Sequence, residues 1–197
     1  MTSDTAKDMS APDSLGAFAI PRCNSAGGPN GLRDMPRVNA IWSNQLFQRH
    51  LGNLNRLEAD RVWCRHGLPH LLDVARIMRI RCLEEGIDID REVLYAAALL
   101  HDIGKDEQYE TGISHDVASE CVARAVLEAL PEGFRFSDAD TAAICTAVVG
   151  HRRLRTGAQQ LERLLYEADK ASRACYACPA RDTCNWDDEN KNLSIRI

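Results

Sequence analysis

The 197-residue sequence has little of what β-rich, membrane-spanning or nucleic-acid-binding chains need. Aromatic residues make up only 6% of it, too few to favour a sandwich built on aromatic and β-branched strands. No stretch shows the alternation of apolar and polar residues that marks a half-buried strand. No apolar run approaches the roughly 20 residues needed to cross a bilayer. Residues 1–21 start acidic and polar, without the basic region and apolar core of a secretory leader. Basic residues number 24 against 29 acidic ones, for a net charge of −5, so the bulk charge does not call for a nucleic-acid polymer as partner. Gly27, Gly28 and Gly31 have neither the preceding strand nor the lysine of a phosphate-binding loop. A cytoplasmic, reducing setting without a membrane partner is the expectation.

What is present is helical. A hydrophobic content of 45% suffices for a sizeable core. Residues 1–36, rich in Gly, Pro, Ser and Asn, read as a flexible arm. Helical periodicity runs from Val38 to about Asp60, followed by a connector over 61–67. Pro69 suits the first turn of a helix over 69–84, which Gly86 stops. The segment 90–101 is apolar almost all round and should be the buried central helix, with Gly104 ending it. Further helices are expected from Ser114 to Leu130, from 138 to His151 and over 158–173. Gly150 is either a terminator or a point of close approach.

Chemistry concentrates at helix ends. His101-Asp102 follows directly on the most apolar helix, where an imidazole and a carboxylate need compensation. A shared cation would supply it, both groups being good metal ligands. Lys105, three residues on, can reach a phosphate as a point charge. Arg152 and Arg153 could form a fork for the same group. His66 could lean over the site as a proton shuttle or substrate contact. Asp73 either orients a ligand histidine or pairs with Arg76 or Arg79, and His50 reads as an ordinary histidine without a companion.

The eight cysteines are unevenly placed, unlike a disulfide framework. Cys175, Cys178 and Cys184 form a C-x2-C-x5-C cluster directly after the last helix. In a reducing compartment such grouping points to metal. Cys64 is the expected fourth ligand, lying six residues before His70 as Cys175 lies six after Asp169. Zinc or an iron–sulfur cluster would fit four thiolates. Cys82, Cys121 and Cys145 read as small core residues, and Cys23 lies in the arm.

His70 with Val74 and Ala75, then the run from Ala97 through His101-Asp102 to Lys105, then Ala168-Asp169, resemble the HD-domain superfamily of metal-dependent phosphohydrolases. The tail cysteines with Cys64-Arg65-His66 look like a small bacterial branch of it. The resemblance implies an all-α bundle over residues 37–173 around a metal site, with a short cysteine-rich appendage over 174–197 packed on it. It implies His70, His101, Asp102 and Asp169 as ligands of one metal. His115 and His151 match the ligands of a second, with Asp102 bridging. One or two divalent ions (iron, manganese or zinc) are expected.

Metal-activated water would then attack a small phosphate ester, a nucleotide or a related phosphomonoester or phosphoanhydride. Catalytic roles fall to Asp102, Lys105 and His66, and substrate binding to Lys105, Arg152 and Arg153. Two alternatives remain open: a di-iron oxygenase of the same superfamily, and a non-catalytic metal- or redox-sensing module. Oligomeric state is not legible.

Overall fold

Among residues 33–195, which the computed structural model describes, eight α-helices and three single 3₁₀ turns make up the regular structure, and no strand occurs. The helices are α1 (Pro36–Trp42), α2 (Gln45–Leu57), α3 (Leu68–Glu85), α4 (Arg91–Leu100), α5 (Lys105–Thr111), α6 (His115–Glu128), α7 (Asp138–Gly150) and α8 (Gln160–Ala171). The all-α expectation holds. None of these helices is long and apolar enough to cross a membrane. Most of the expected flexible arm lies outside the described residues.

Two differences from the expected helices have local causes. The first expected helix is two, because the Asn44 side chain accepts from the backbone N–H groups of Leu46 and Phe47 and so starts α2 afresh. α1 lacks a side-chain cap of its own. Instead the buried Glu92 of α4 accepts from the N–H groups of Arg37 and Val38 at 2.7 and 3.2 Å, a carboxylate placed at a helix N-terminus. The other difference is α5, a short helix that begins right after Gly104 and stops at Gly112, whose φ of +79° suits the left-handed C-terminal residue.

α4 is the centre of the bundle, as its composition predicts: eight of its ten residues are buried. It packs on α3 and α7, with α1, α6 and α8 also in contact. The core runs continuously through Leu71, Met78, Leu94, Leu100, Ile144 and Leu165. Each such side chain contributes about 2 kcal/mol by leaving water.

Two glycines let the helices that carry the site come close. A Cβ on Gly104 would stand 2.4 Å from the backbone of Ala118 and Ser119, and the Gly104 N–H donates to Ser119 Oγ at 3.0 Å. The turn after α4 is thereby pinned to α6. A Cβ on Gly150 would meet the Glu162 side chain at 2.4 Å, so of the two roles expected for Gly150 the close approach is the one seen. Glu162 is fully buried, paired with Arg155 at 2.9 Å, and anchors the start of α8.

Candidate metal centre

Six side chains from five helices and one turn converge at helix ends. His70 stands in the first turn of α3, His101 just after α4, and Asp102 in the turn beyond it. His115 opens α6, His151 follows α7, and Asp169 lies in the last turn of α8. His70, His101, Asp102 and Asp169 each offer one ligand atom within 4.8 Å of the others, and Asp102, His115 and His151 form a second such group.

Asp102 joins the two groups through different oxygens. Its Oδ2 lies 3.5 Å from His70 Nε2 and 3.3 Å from His101 Nε2. Its Oδ1 lies 3.6 Å from His115 Nε2 and 3.5 Å from His151 Nε2. Asp169 Oδ1 closes the first group, 3.4 Å from His70 Nε2 and 3.8 Å from His101 Nε2.

The other ring nitrogen of each histidine is already engaged. His101 Nδ1 donates to the Ala98 carbonyl at 2.7 Å, and His151 Nδ1 donates to the Val148 carbonyl at 2.5 Å. Ser172 Oγ gives its hydrogen to the Asp169 carbonyl at 2.7 Å, so it accepts from His70 Nδ1 at 3.1 Å. His115 Nδ1 donates to Gln108 Oε1 at 3.0 Å. With Nδ1 protonated in every case, the Nε2 lone pairs face inward. Those of His70 and His101 stand 3.2 Å apart. Two lone pairs that close repel unless a cation or proton lies between them, so the donor set fits a divalent metal and a tautomer fixed from outside.

The electrostatics call for positive charge at the same place, which without a metal a proton on His101 supplies. Burial works against charge on His101, but Asp102 and Asp169 outweigh it and hold its pKa up at about 9. Burial likewise opposes ionisation of Asp102 and Asp169. His101 and its neighbours hold Asp102 well below the usual carboxylate range, and Arg173 with the histidines does so for Asp169. Burial pushes His115 down to about 3 and His66 to about 4, leaving both neutral.

A cavity of about 580 Å³ opens onto these groups. Lys105 and Arg152 line it, as do Arg61, Lys170 and Arg173 and the indoles of Trp63 and Trp186. Lys105 makes no ion pair with any described residue, and burial lowers its pKa. Arg152 donates to Ser114 Oγ at 2.7 Å and lies 3.8 Å from Asp116. Of the two arginines expected at the site, Arg153 is exposed and is not part of the cavity lining. His66 lines it with Nδ1 held by Glu58 Oε1 at 2.5 Å. Glu58 is buried, and also accepts from the His66 N–H at 2.6 Å and from Tyr109 Oη at 2.7 Å.

Of the two roles open to Asp73, pairing with Arg76, at 3.5 Å, is the one seen, on an exposed face. His50 has a companion after all: its Nδ1 faces both oxygens of the buried Asp106 at 2.9 Å. Cys82 and Cys145 are buried as expected, whereas Cys121 is exposed on the outer face of α6. Cys23 lies outside the described residues.

The tail does not stand apart. Tyr176 N–H donates to the Asn192 carbonyl and the Asn192 side chain to the Ala171 carbonyl, each at 2.9 Å. Thr183, Cys184, Asn185 and Trp186 form part of the cavity wall together with Cys64 and Cys175, while Cys178 lies outside it. Among the described residues, no three cysteine sulfurs gather within 4.8 Å of one another.

Glu58, Tyr109, Gln108 and Arg173 were not legible as site residues. Glu58 and Gln108 stand eight and seven residues from the histidines they hold, with no pattern between to mark the pairing, and Tyr109 is brought to Glu58 across the fold. Arg173 alone carried a local signal, standing one helical turn after Asp169.

The HD domain family profile matches residues 67–178. An uncharacterized protein of Clostridium beijerinckii is 37% identical over 161 residues, covering 82% of this chain and 99% of that protein. The crystal structure of a predicted HD superfamily hydrolase from an uncultured Thermotogales bacterium superposes with a TM-score of 0.55 at 19% identity, covering 76% of this chain and 80% of that one. At that identity it bears on the fold alone.

Proposed function

The chain belongs to the HD-domain family and is a metal-dependent hydrolase of the HD type, and from that premise we propose that it hydrolyses a small phosphate ester, a nucleotide or a related phosphomonoester or phosphoanhydride. The observation that carries the reading is the division of Asp102: one oxygen turned to His70 and His101, the other to His115 and His151. His70, His101, Asp102 and Asp169 would hold one divalent ion and Asp102, His115 and His151 a second, with iron or manganese matching the nitrogen and oxygen donors and zinc also compatible. Such ions would supply an acidified water and offset charge on the phosphoryl oxygens.

The chain's own groups do the rest. Lys105, with no acidic partner among the described residues, is available to a phosphate oxygen. Arg152 and Lys170 extend the positive wall. Trp63 and Trp186 offer apolar faces suited to a planar ring. His66, held by Glu58, turns its neutral ring toward the same space and can accept a hydrogen bond or carry a proton at Nε2. A cavity of about 580 Å³ supports a small molecule as substrate.

The arm over 1–36, the domain over 37–173 and the tail over 174–197 remain our working division. A separate zinc or iron–sulfur site on Cys64, Cys175, Cys178 and Cys184, which would mark the small cysteine-bearing branch, has the weaker support. Three of these residues share the cavity wall, without ligand-range spacing. The test is anaerobic purification with metal and sulfide analysis, then phosphate release from a panel of nucleotides and phosphomonoesters. Phosphate release abolished in both H101A and D102A is expected. Release that survives both changes, or oxygen consumption without release, would overturn the hydrolytic reading.

A further inference from the structure

Arg173 follows α8 and, at 8% exposure, is the one buried Arg or Lys among the described residues. Its guanidinium enters the four-ligand group itself. Nη2 donates to Asp169 Oδ1 at 2.7 Å and to His70 Nε2 at 3.2 Å, and lies 3.9 Å from Asp102 Oδ2. Nε is buried with no hydrogen-bond partner. An arginine placed only for structure normally has its buried donors satisfied. Here Nη2 is spent on the ligand atoms and Nε is left over among the described residues.

The decisive constraint is at His70. Its Nδ1 carries a proton toward Ser172, so Nε2 has a single lone pair. That lone pair can accept from Arg173 or bind a metal ion, and cannot do both. Asp169 Oδ1 has a second lone pair and is not limited in that way, but the guanidinium and a metal ion held on it would repel each other.

We propose that Arg173 is a built-in cation of the four-ligand group, holding its carboxylates together in the metal-free chain and displaced from them when metal loads. The proposal rests on the reading of His70, His101, Asp102 and Asp169 as ligands. Arg173 then sets the metal affinity of the first position: it stabilises the metal-free fold, and every loading event must break its contacts. It acts on the ion through the ligands, and is a positioning residue.

The test uses the full chain stripped with a chelator. Binding of Mn²⁺ is counted from the electron paramagnetic resonance signal of the free ion, and thermal unfolding is followed with and without Mn²⁺, in wild type and R173M. R173M is expected to bind Mn²⁺ at least about tenfold tighter at the first position. Its metal-free form should melt about 5–10 °C lower, a gap that closes on loading. If R173M folds only when expressed with Mn²⁺, the rate of loss to a chelator replaces the affinity, and slower loss than wild type is expected. Affinities equal within twofold, or a melting deficit equal in both states, would overturn the proposal. Failure of both proteins to bind Mn²⁺ would overturn the ligand reading beneath it, and the proposal with it.

Discussion

His101-Asp102 and His50-Asp106 are both buried histidine–carboxylate groupings, their aspartates only four residues apart, yet the bonding in them runs in opposite directions. In the second, Nδ1 of His50 faces both oxygens of Asp106 at 2.9 Å, and Asn53 Nδ2 donates to the same carboxylate at 3.4 Å. The donors are spent inside the cluster, which ties α2 to α5 and is closed, even though Glu107 stands near enough to complete a three-residue set. In the first, each Nδ1 is spent outside, on a carbonyl, a hydroxyl or an amide oxygen, and four Nε2 atoms face one carboxylate. Proximity of histidine and aspartate is common to both clusters. What separates a clasp from a metal centre is where the protons go.

The largest effect should come from removing Asp102, the group the two halves of the centre share. D102A is expected to lower phosphate release at least about 10³-fold and to bring metal content below one ion per chain, measured by elemental analysis. Next comes the clasp. D106A leaves His50 buried without its partner and should cost about 3 kcal/mol in urea unfolding, with metal content unchanged. Loss of metal from D106A would erase the distinction between the clusters.

G104A attacks the turn between them. The added Cβ meets backbone that cannot rotate away, so a cost of about 2 kcal/mol is expected, with metal affinity weakened as well because Asp102 precedes the turn. The smallest effect belongs to D73A. Asp73 sits on the helix that carries His70 but is exposed, so stability should change by less than about 0.5 kcal/mol and metal content not at all. A larger change would return Asp73 to the centre.

These contrasts follow what could be read along the chain. α4 and the His101-Asp102 turn were legible because their information is local: an unbroken apolar helix, a ligand pair and a glycine. The remaining ligands were legible through a resemblance that preserves their order. The Glu58–Tyr109 contact was not, since only the fold carries Tyr109 to the end of α2. His50 was misjudged for the same reason, its partner lying 56 residues away. The cysteines show the converse. Their spacing was clear, but spacing in a tail of single turns does not fix where sulfurs point. His101 and His151, by contrast, are fixed by hydrogen bonds one turn back along the chain.

The account turns on Asp102 serving two positions at once. The most direct measurement is the number of ions bound per chain after anaerobic reconstitution, in wild type and in the double variant H115A/H151A. Two ions in wild type and one in the variant are predicted. A wild-type protein that saturates at one ion, or a double variant that still binds two, would contradict it.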